Sequence, residues 1–226
     1  MDVFRAKQAA AKQAATFVED GMVVGLGTGS TAACFIEALI QRVRQEKLKI
    51  QTVASSQASA ALAKAGNLPL IELNAALRVD LTVDGADEID AQKRMIKGGG
   101  GAHVREKILA AASTEMVVIV DETKVVPLLG QTKLPVEILH YGSPSTRARL
   151  ERTGYKGKWR TQADGSLFIT ENGNLLFDIT FDSPLSHPER EDLQILQTPG
   201  VVDTGFFFDL AGRVLIGHSD GTVTLR

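Results

Sequence analysis

Apolar positions along the first half of this chain switch between two spacings, one helical and one strand-like. Residues 4–18 are alanine-rich, and Phe4, Ala11, Ala14, Ala15 and Val18 can share one helical face before Gly21. Met22-Val23-Val24-Gly25-Leu26 is then an unbroken apolar run of the kind that makes a buried strand. After Gly27-Thr28-Gly29-Ser30-Thr31, apolar residues fall at Ala32, Phe35, Ile36, Leu39, Ile40 and Val43. This predicts a helix with Ser30 or Thr31 as its cap. Strand-like runs follow at 50–54, 68–71, 81–83 and 116–120, with helical stretches at 58–65 and 104–112 between them. Such alternation predicts a mainly parallel sheet covered on both faces, with ligands at the carboxyl ends of its strands.

Near Lys133-Leu134-Pro135-Val136-Glu137 the pattern changes. A strand is expected over 136–141, and Ser143-Pro144 opens a helix reaching about Arg152. Runs at 167–170 and 175–181 flank Asn172-Gly173, a hairpin signal. A helix over 188–196 and a strand over 201–208 complete a smaller α+β module at 132–206. The runs at 214–217 and 222–225 can return to the first sheet. The expected domains are therefore 1–131 plus 207–226, and 132–206.

Composition narrows the function. The chain has 226 residues, 44% apolar and 23% charged, with a formal net charge of -2, which argues against an electrostatic nucleic-acid binder. The short basic cluster Lys156, Lys158 and Arg160 reads as a solvated surface. Cys34 is the single cysteine and falls among apolar helix positions, so a buried thiol is expected, with no disulfide framework. The four histidines have no metal-binding spacing, and only His103 lies near candidate chemistry. Asp2, Arg5, Lys7 and Lys12 interrupt the N-terminus, and no apolar stretch is long enough to span a bilayer. No membrane association and a cytoplasmic location are expected.

The chemistry-bearing residues cluster at three places. Gly25-Leu26-Gly27-Thr28-Gly29-Ser30 has part of a dinucleotide fingerprint, but Ser30 replaces the third glycine and Ser55-Ser56 stand where a ribose-binding acid would be. A phosphate cradle of amides and hydroxyls at a helix N-terminus, or a plain capped turn, fits better. Asp84-Gly85-Ala86-Asp87-Glu88 follows a largely apolar strand, where a charge needs either a turn or a task. Lys97-Gly98-Gly99-Gly100-Gly101 then leads into a helix bearing Glu106 in its first turns. Four consecutive glycines are conformationally costly and let backbone amides approach a ligand. Acids and a lysine beside such amides suit proton transfer next to a developing negative charge.

Taken together, Gly27-Thr28-Gly29-Ser30-Thr31, Asp84-Gly85-Ala86-Asp87, Lys97-Gly98-Gly99-Gly100-Gly101, Arg105-Glu106-Lys107, Leu134-Pro135-Val136-Glu137 and Asn172-Gly173-Asn174 resemble ribose-5-phosphate isomerases of the A type. The resemblance runs nearly end to end. It implies an α/β, Rossmann-like domain with a smaller ferredoxin-like α+β domain involved in oligomerisation. It also implies an aldose–ketose isomerase of the pentose phosphate pathway, free of cofactor and metal, acting on a sugar phosphate as a homodimer or tetramer. By position Glu106 matches the family's base, Asp84 the ring-opening residue, and Asp87 and Lys97 the groups that hold substrate oxygens. Thr28, Gly29, Ser30, Thr31, Gly85, Ala86, Gly98, Gly99, Gly100 and Lys124 match substrate contacts, with Lys7 a phosphate partner. The alternatives are a nicotinamide-dependent oxidoreductase, disfavoured by the incomplete fingerprint, and a non-catalytic sugar-phosphate sensor.

Overall fold

The computed structural model describes residues 2–76 and 78–226. Its strands in chain order are β1 (Val23–Leu26), β2 (Gln51–Ala54), β3 (Val79–Asp84), β4 (Glu88–Ile89), β5 (Met95–Ile96), β6 (Ser113–Asp121) and β7 (Leu134–Ile138). β8 (Lys156–Trp159), β9 (Leu175–Thr180), β10 (Val201–Thr204), β11 (Phe206–Phe207), β12 (Ala211–Gly217) and β13 (Val223–Leu225) follow. The helices are α1 (Val3–Ala15), α2 (Ser30–Glu46), α3 (Gln57–Ala65), α4 (His103–Ala111), α5 (Ser143–Arg152) and α6 (Pro188–Leu196). Contacts divide the chain into two compact units. The first holds Met1–Ala86, Arg105–Val125 and Asp209–Arg226; the second holds Asp87–Val104 and Val126–Phe208.

The first unit is built on a six-stranded sheet in the order β13-β12-β6-β3-β1-β2. All its pairings are parallel except β12 with β13. The α/β expectation therefore holds, including the return of the last two apolar runs to this sheet. Val24, Leu26, Phe35, Ile36, Leu39, Val83, Val117 and Ile119 form its buried core, against which α1 sets Ala10, Ala11, Ala14 and Ala15. Cys34 is buried as expected, and burial raises its thiol pKa. The run at 68–71 does not become a strand. Pro69 has no N–H to donate, and the segment makes only a bridge between Leu70 and Thr52.

The second unit carries a four-stranded antiparallel sheet ordered β10-β7-β9-β8. With α5 after β7 and α6 after β9, this is a ferredoxin-like βαββαβ arrangement. Phe177, Phe206, Val136, Ile138, Leu150 and Ile195 fill its core. A small three-stranded sheet, β11-β5-β4, belongs to the same unit. Three details depart from the sequence reading. The run 201–208 splits at Gly205 into β10 and β11, which join different sheets. Residues 167–170 make only bridges, Leu167 to Thr161 and Ile169 to Leu175, although the turn at Asn172-Gly173 forms with Gly173 at φ 80°. On the side of β9 away from β7, the regular partner is instead β8, whose lysines mark it as a protected edge strand.

Candidate active site

In the first unit, β3, β1 and β2 lie side by side and parallel, so residues leaving their carboxyl ends must meet. Those residues are Asp84, Gly27-Thr28 and Ser55. Asp84 is 1% exposed, and its Oδ1 accepts the Thr28 N–H at 3.1 Å and the Gly85 N–H at 2.7 Å. A side chain at residue 27 has no room, because a Cβ there would lie 2.2 Å from the Asp84 carboxyl. The Thr28 and Ser55 hydroxyls are 2.7 Å apart, while Ser55 donates to Leu26 O and Ser59 to Gly27 O. Ser56, the other residue at the ribose-acid position, caps α3 through the Ser59 N–H. Both serines thus have structural work, which removes the dinucleotide reading of this turn.

Gly29, at φ 105°, is the N-cap of α2 and provides no side-chain cap. Ser30 opens the helix, and Lys7 Nζ donates to its hydroxyl at 3.0 Å. A helix N-terminus with a lysine at its first hydroxyl suits an anion. A Cβ on Gly85 would meet Thr31 at 3.5 Å, an ordinary contact, and Ala86 closes this segment of the unit. Lys124 ends a short 3-10 turn after β6, where Asp121 caps the Thr123 N–H at 3.1 Å. Glu106 lies in the first turn of α4 and is 3% exposed. The first unit therefore gathers Asp84 with the Thr28 turn, and Lys7 with Ser30.

The second unit holds the other predicted residues. Asp87 Oδ2 accepts the Gly99 N–H at 2.8 Å, and the Asp87 N–H donates to Ile96 O. Lys97 follows β5, is 3% exposed, and has Nζ 5.4 Å from the centre of the Phe207 ring. Gly98 and Gly101 take φ of 103° and 83°, and the Gly101 N–H closes a turn onto Gly98 O at 3.0 Å. Gly99 and Gly100 are exposed at its tip. A Cβ on Gly98 would meet the His103 ring at 2.9 Å, and one on Gly101 would meet Phe168 at 2.6 Å. His103 is fully buried beneath the turn.

One cation of this unit was misread from sequence. Arg160 is not part of a solvated basic surface: its side chain is 9% exposed and makes a two-bond pair with Asp178, at 3.0 and 2.5 Å. Its Nη1 donates to Gly98 O at 2.8 Å and Gly99 O at 3.0 Å. Lys156 and Lys158 are exposed, as expected. Exposed and half-buried positions alternate only from Lys156 to Trp159, and Arg160 falls on the phase of the exposed lysines, so no local period pointed to it.

Asp84, Lys97 and Glu106 are all buried, as are Glu88, Asp90, Asp121 and Glu137, and buried ionisable groups near a strand-end crevice or a glycine turn are candidates for chemistry. Among the described residues no group of three or more His, Cys, Asp or Glu is placed to hold a metal ion. No helix among them is long and apolar enough to cross a membrane.

Residues 51–221 match the model of the family described as ribose 5-phosphate isomerase A (phosphoriboisomerase A). The chain belongs to the ribose 5-phosphate isomerase A family. It is 48% identical over 217 residues to the ribose-5-phosphate isomerase A of Protochlamydia amoebophila, covering 96% of this chain and 93% of that one. Among solved structures, ribose 5-phosphate isomerase A from Methanocaldococcus jannaschii superposes with a TM-score of 0.91 at 37% identity. That match covers 98% of this chain and 97% of that one. A D-ribose-5-phosphate isomerase in complex with phospho-erythronic acid gives 0.94 at 34% identity, covering 100% and 99%. The family's fold is thus present from end to end.

Proposed function

We propose that this isomerase interconverts ribose 5-phosphate and ribulose 5-phosphate with Glu106 as the proton-transferring base. Glu106 breaks the C2–H bond of the open-chain aldose, whose electrons form a C1–C2 double bond while the aldehyde oxygen takes the negative charge. The proton returns to C1, and the C2 hydroxyl proton passes to O1, leaving the ketose. Asp84 opens the furanose ring. Asp87 and Lys97 hold the substrate oxygens, with the amides of Gly98 and Gly100 as further donors and Gly99, its N–H held by Asp87, contacting the substrate beside them, the arrangement that an enediolate needs. Thr28, Gly29, Ser30, Thr31, Gly85, Ala86 and Lys124 contact the substrate, and Lys7 meets its phosphate.

The observation that carries this reading is the burial of Glu106 in the first turn of α4, a carboxyl group shielded from water at the N-terminal end of a helix. Two further supports are the helix N-terminus beside Lys7 and the phospho-sugar acid bound by a solved relative. The reading extends to a cytoplasmic enzyme of the pentose phosphate pathway. It acts as a homodimer in which the module at 132–206 carries self-association, beside a catalytic domain of 1–131 plus 207–226. Purified protein in EDTA should convert ribose 5-phosphate to the ketose. Absence of ketose would overturn the assignment. Sedimentation of the full chain against one lacking none of its residues but altered at exposed Tyr141 and Leu139 checks the self-association.

A further inference from the structure

We propose that Arg160 is a positioning residue for the isomerisation, aiming the Gly100 N–H through the carbonyls of Gly98 and Gly99. The inference rests on the reading that the glycine turn faces the substrate. In a trans peptide the C=O and N–H point in opposite directions, and no cis peptide occurs here. The peptide between Gly98 and Gly99 is held at both ends: Arg160 Nη1 binds its oxygen at 2.8 Å and Asp87 Oδ2 takes its N–H at 2.8 Å. The next peptide is held at one end only, with Gly99 O on the same Nη1 at 3.0 Å. Its N–H, that of Gly100, must then point away from Arg160, and it has no acceptor among the described residues. This donor is fixed in direction and open to an incoming oxygen.

The guanidinium can do this because it is itself immobile. Nε and Nη2 grip the two oxygens of Asp178 in a fork that lysine cannot reproduce. Lys133 Nζ, at 2.6 Å from Asp178 Oδ2, adds a second cation to that carboxylate without touching the turn. Phe168 lies 5.9 Å from the Arg160 guanidinium carbon and also occupies the space a Gly101 side chain would need. Glycines that could otherwise sample many conformations are thereby held in one.

Arg160→Lys keeps the charge against Asp178 and the fold, but cannot bond Asp178 twice and both carbonyls at once. Its kcat for ribose 5-phosphate should fall about 100-fold, the size of loss that a misplacement of around 1 Å produces. Its KM should change by less than threefold and its melting temperature should stay close to that of the parent. Arg160→Ala should recover part of its kcat when guanidinium ion is added, while Lys133→Met should keep the parent kcat. An Arg160→Lys enzyme with parental kcat would overturn the proposal. So would a loss of activity that follows the unfolded fraction and resists guanidinium. If the parent protein itself makes no ketose, the isomerase reading fails first, and the two failures are told apart by that control.

Discussion

Two glycine-rich turns carry the candidate chemistry, and they are held in different ways. The turn at Gly27–Thr31 sits where neighbouring parallel strands end, and Asp84 and Ser55 that hold it leave the adjacent strands β3 and β2. The turn at Lys97–Gly101 belongs to no large sheet. Its conformation is set by Asp87, and by Arg160 and Asp178 on an antiparallel pair some 60 residues or more further along the chain. The first turn is a consequence of topology. The second depends on particular side chains, so it is the more easily altered by a single substitution that leaves the fold intact.

The largest effect expected sets the scale for both turns. Glu106→Gln should lower kcat by roughly 10²–10⁴-fold, retain substrate affinity, and abolish solvent deuterium exchange at C2. Exchange that persists in this variant would move the base elsewhere, with Asp84 or Asp87 next in line. Below that comes the first turn. Gly27→Ala drives a methyl group to 2.2 Å from the Asp84 carboxyl, in backbone that alanine otherwise tolerates. It should cost about 100-fold in kcat/KM and about 1–3 kcal/mol of stability from overpacking.

Gly99→Ala tests the same idea in the second turn. Its methyl group would meet Asp87 Oδ1 at 2.9 Å on an exposed tip, where a side chain can give way. A loss of roughly tenfold in kcat/KM, or about 1.4 kcal/mol of barrier, is expected, with little change in melting temperature. Equal losses at residues 27 and 99 would remove the distinction between the turns.

The smallest effect is one of pH. Burial tends to raise the Asp178 pKa, but Arg160 and then Lys133 hold the carboxyl below the usual carboxylate range. A depressed folded-state pKa means that the unfolded chain binds the proton more readily, so stability rises with pH across the window. The contribution is fully present above the unfolded value of about 3.9 and is lost as pH falls through the lower folded value. Melting temperatures of the parent and Asp178→Asn should therefore differ at pH 7 and converge below about pH 4. A difference that persists undiminished in acid would show that the ion pair is not what fixes the second turn.

Much of the first unit was legible because alternating apolar runs specify parallel strands, and parallel strands force their carboxyl ends together. Asp84 beside Thr28 follows from that rule. The 68–71 run misled because Pro69 sits within it, and the 201–208 run because its continuity hides the break at Gly205. Arg160 was missed for a different reason. Its strand lies at a sheet edge, where water tolerates lysines and the apolar signal fades, so a buried arginine looked like its exposed neighbours.

The sequence by itself determined which residue types are available for chemistry, the α/β alternation and the smaller α+β module, since periodicity and turn residues act locally. Its motif order also identified the family. Only the tertiary structure decided which carboxylates hold backbone amides, which glycines are sterically required and which cation fixes the second turn. Those outcomes depend on contacts between residues far apart in the chain, and no local spacing records the direction of a side chain or the room left beside it.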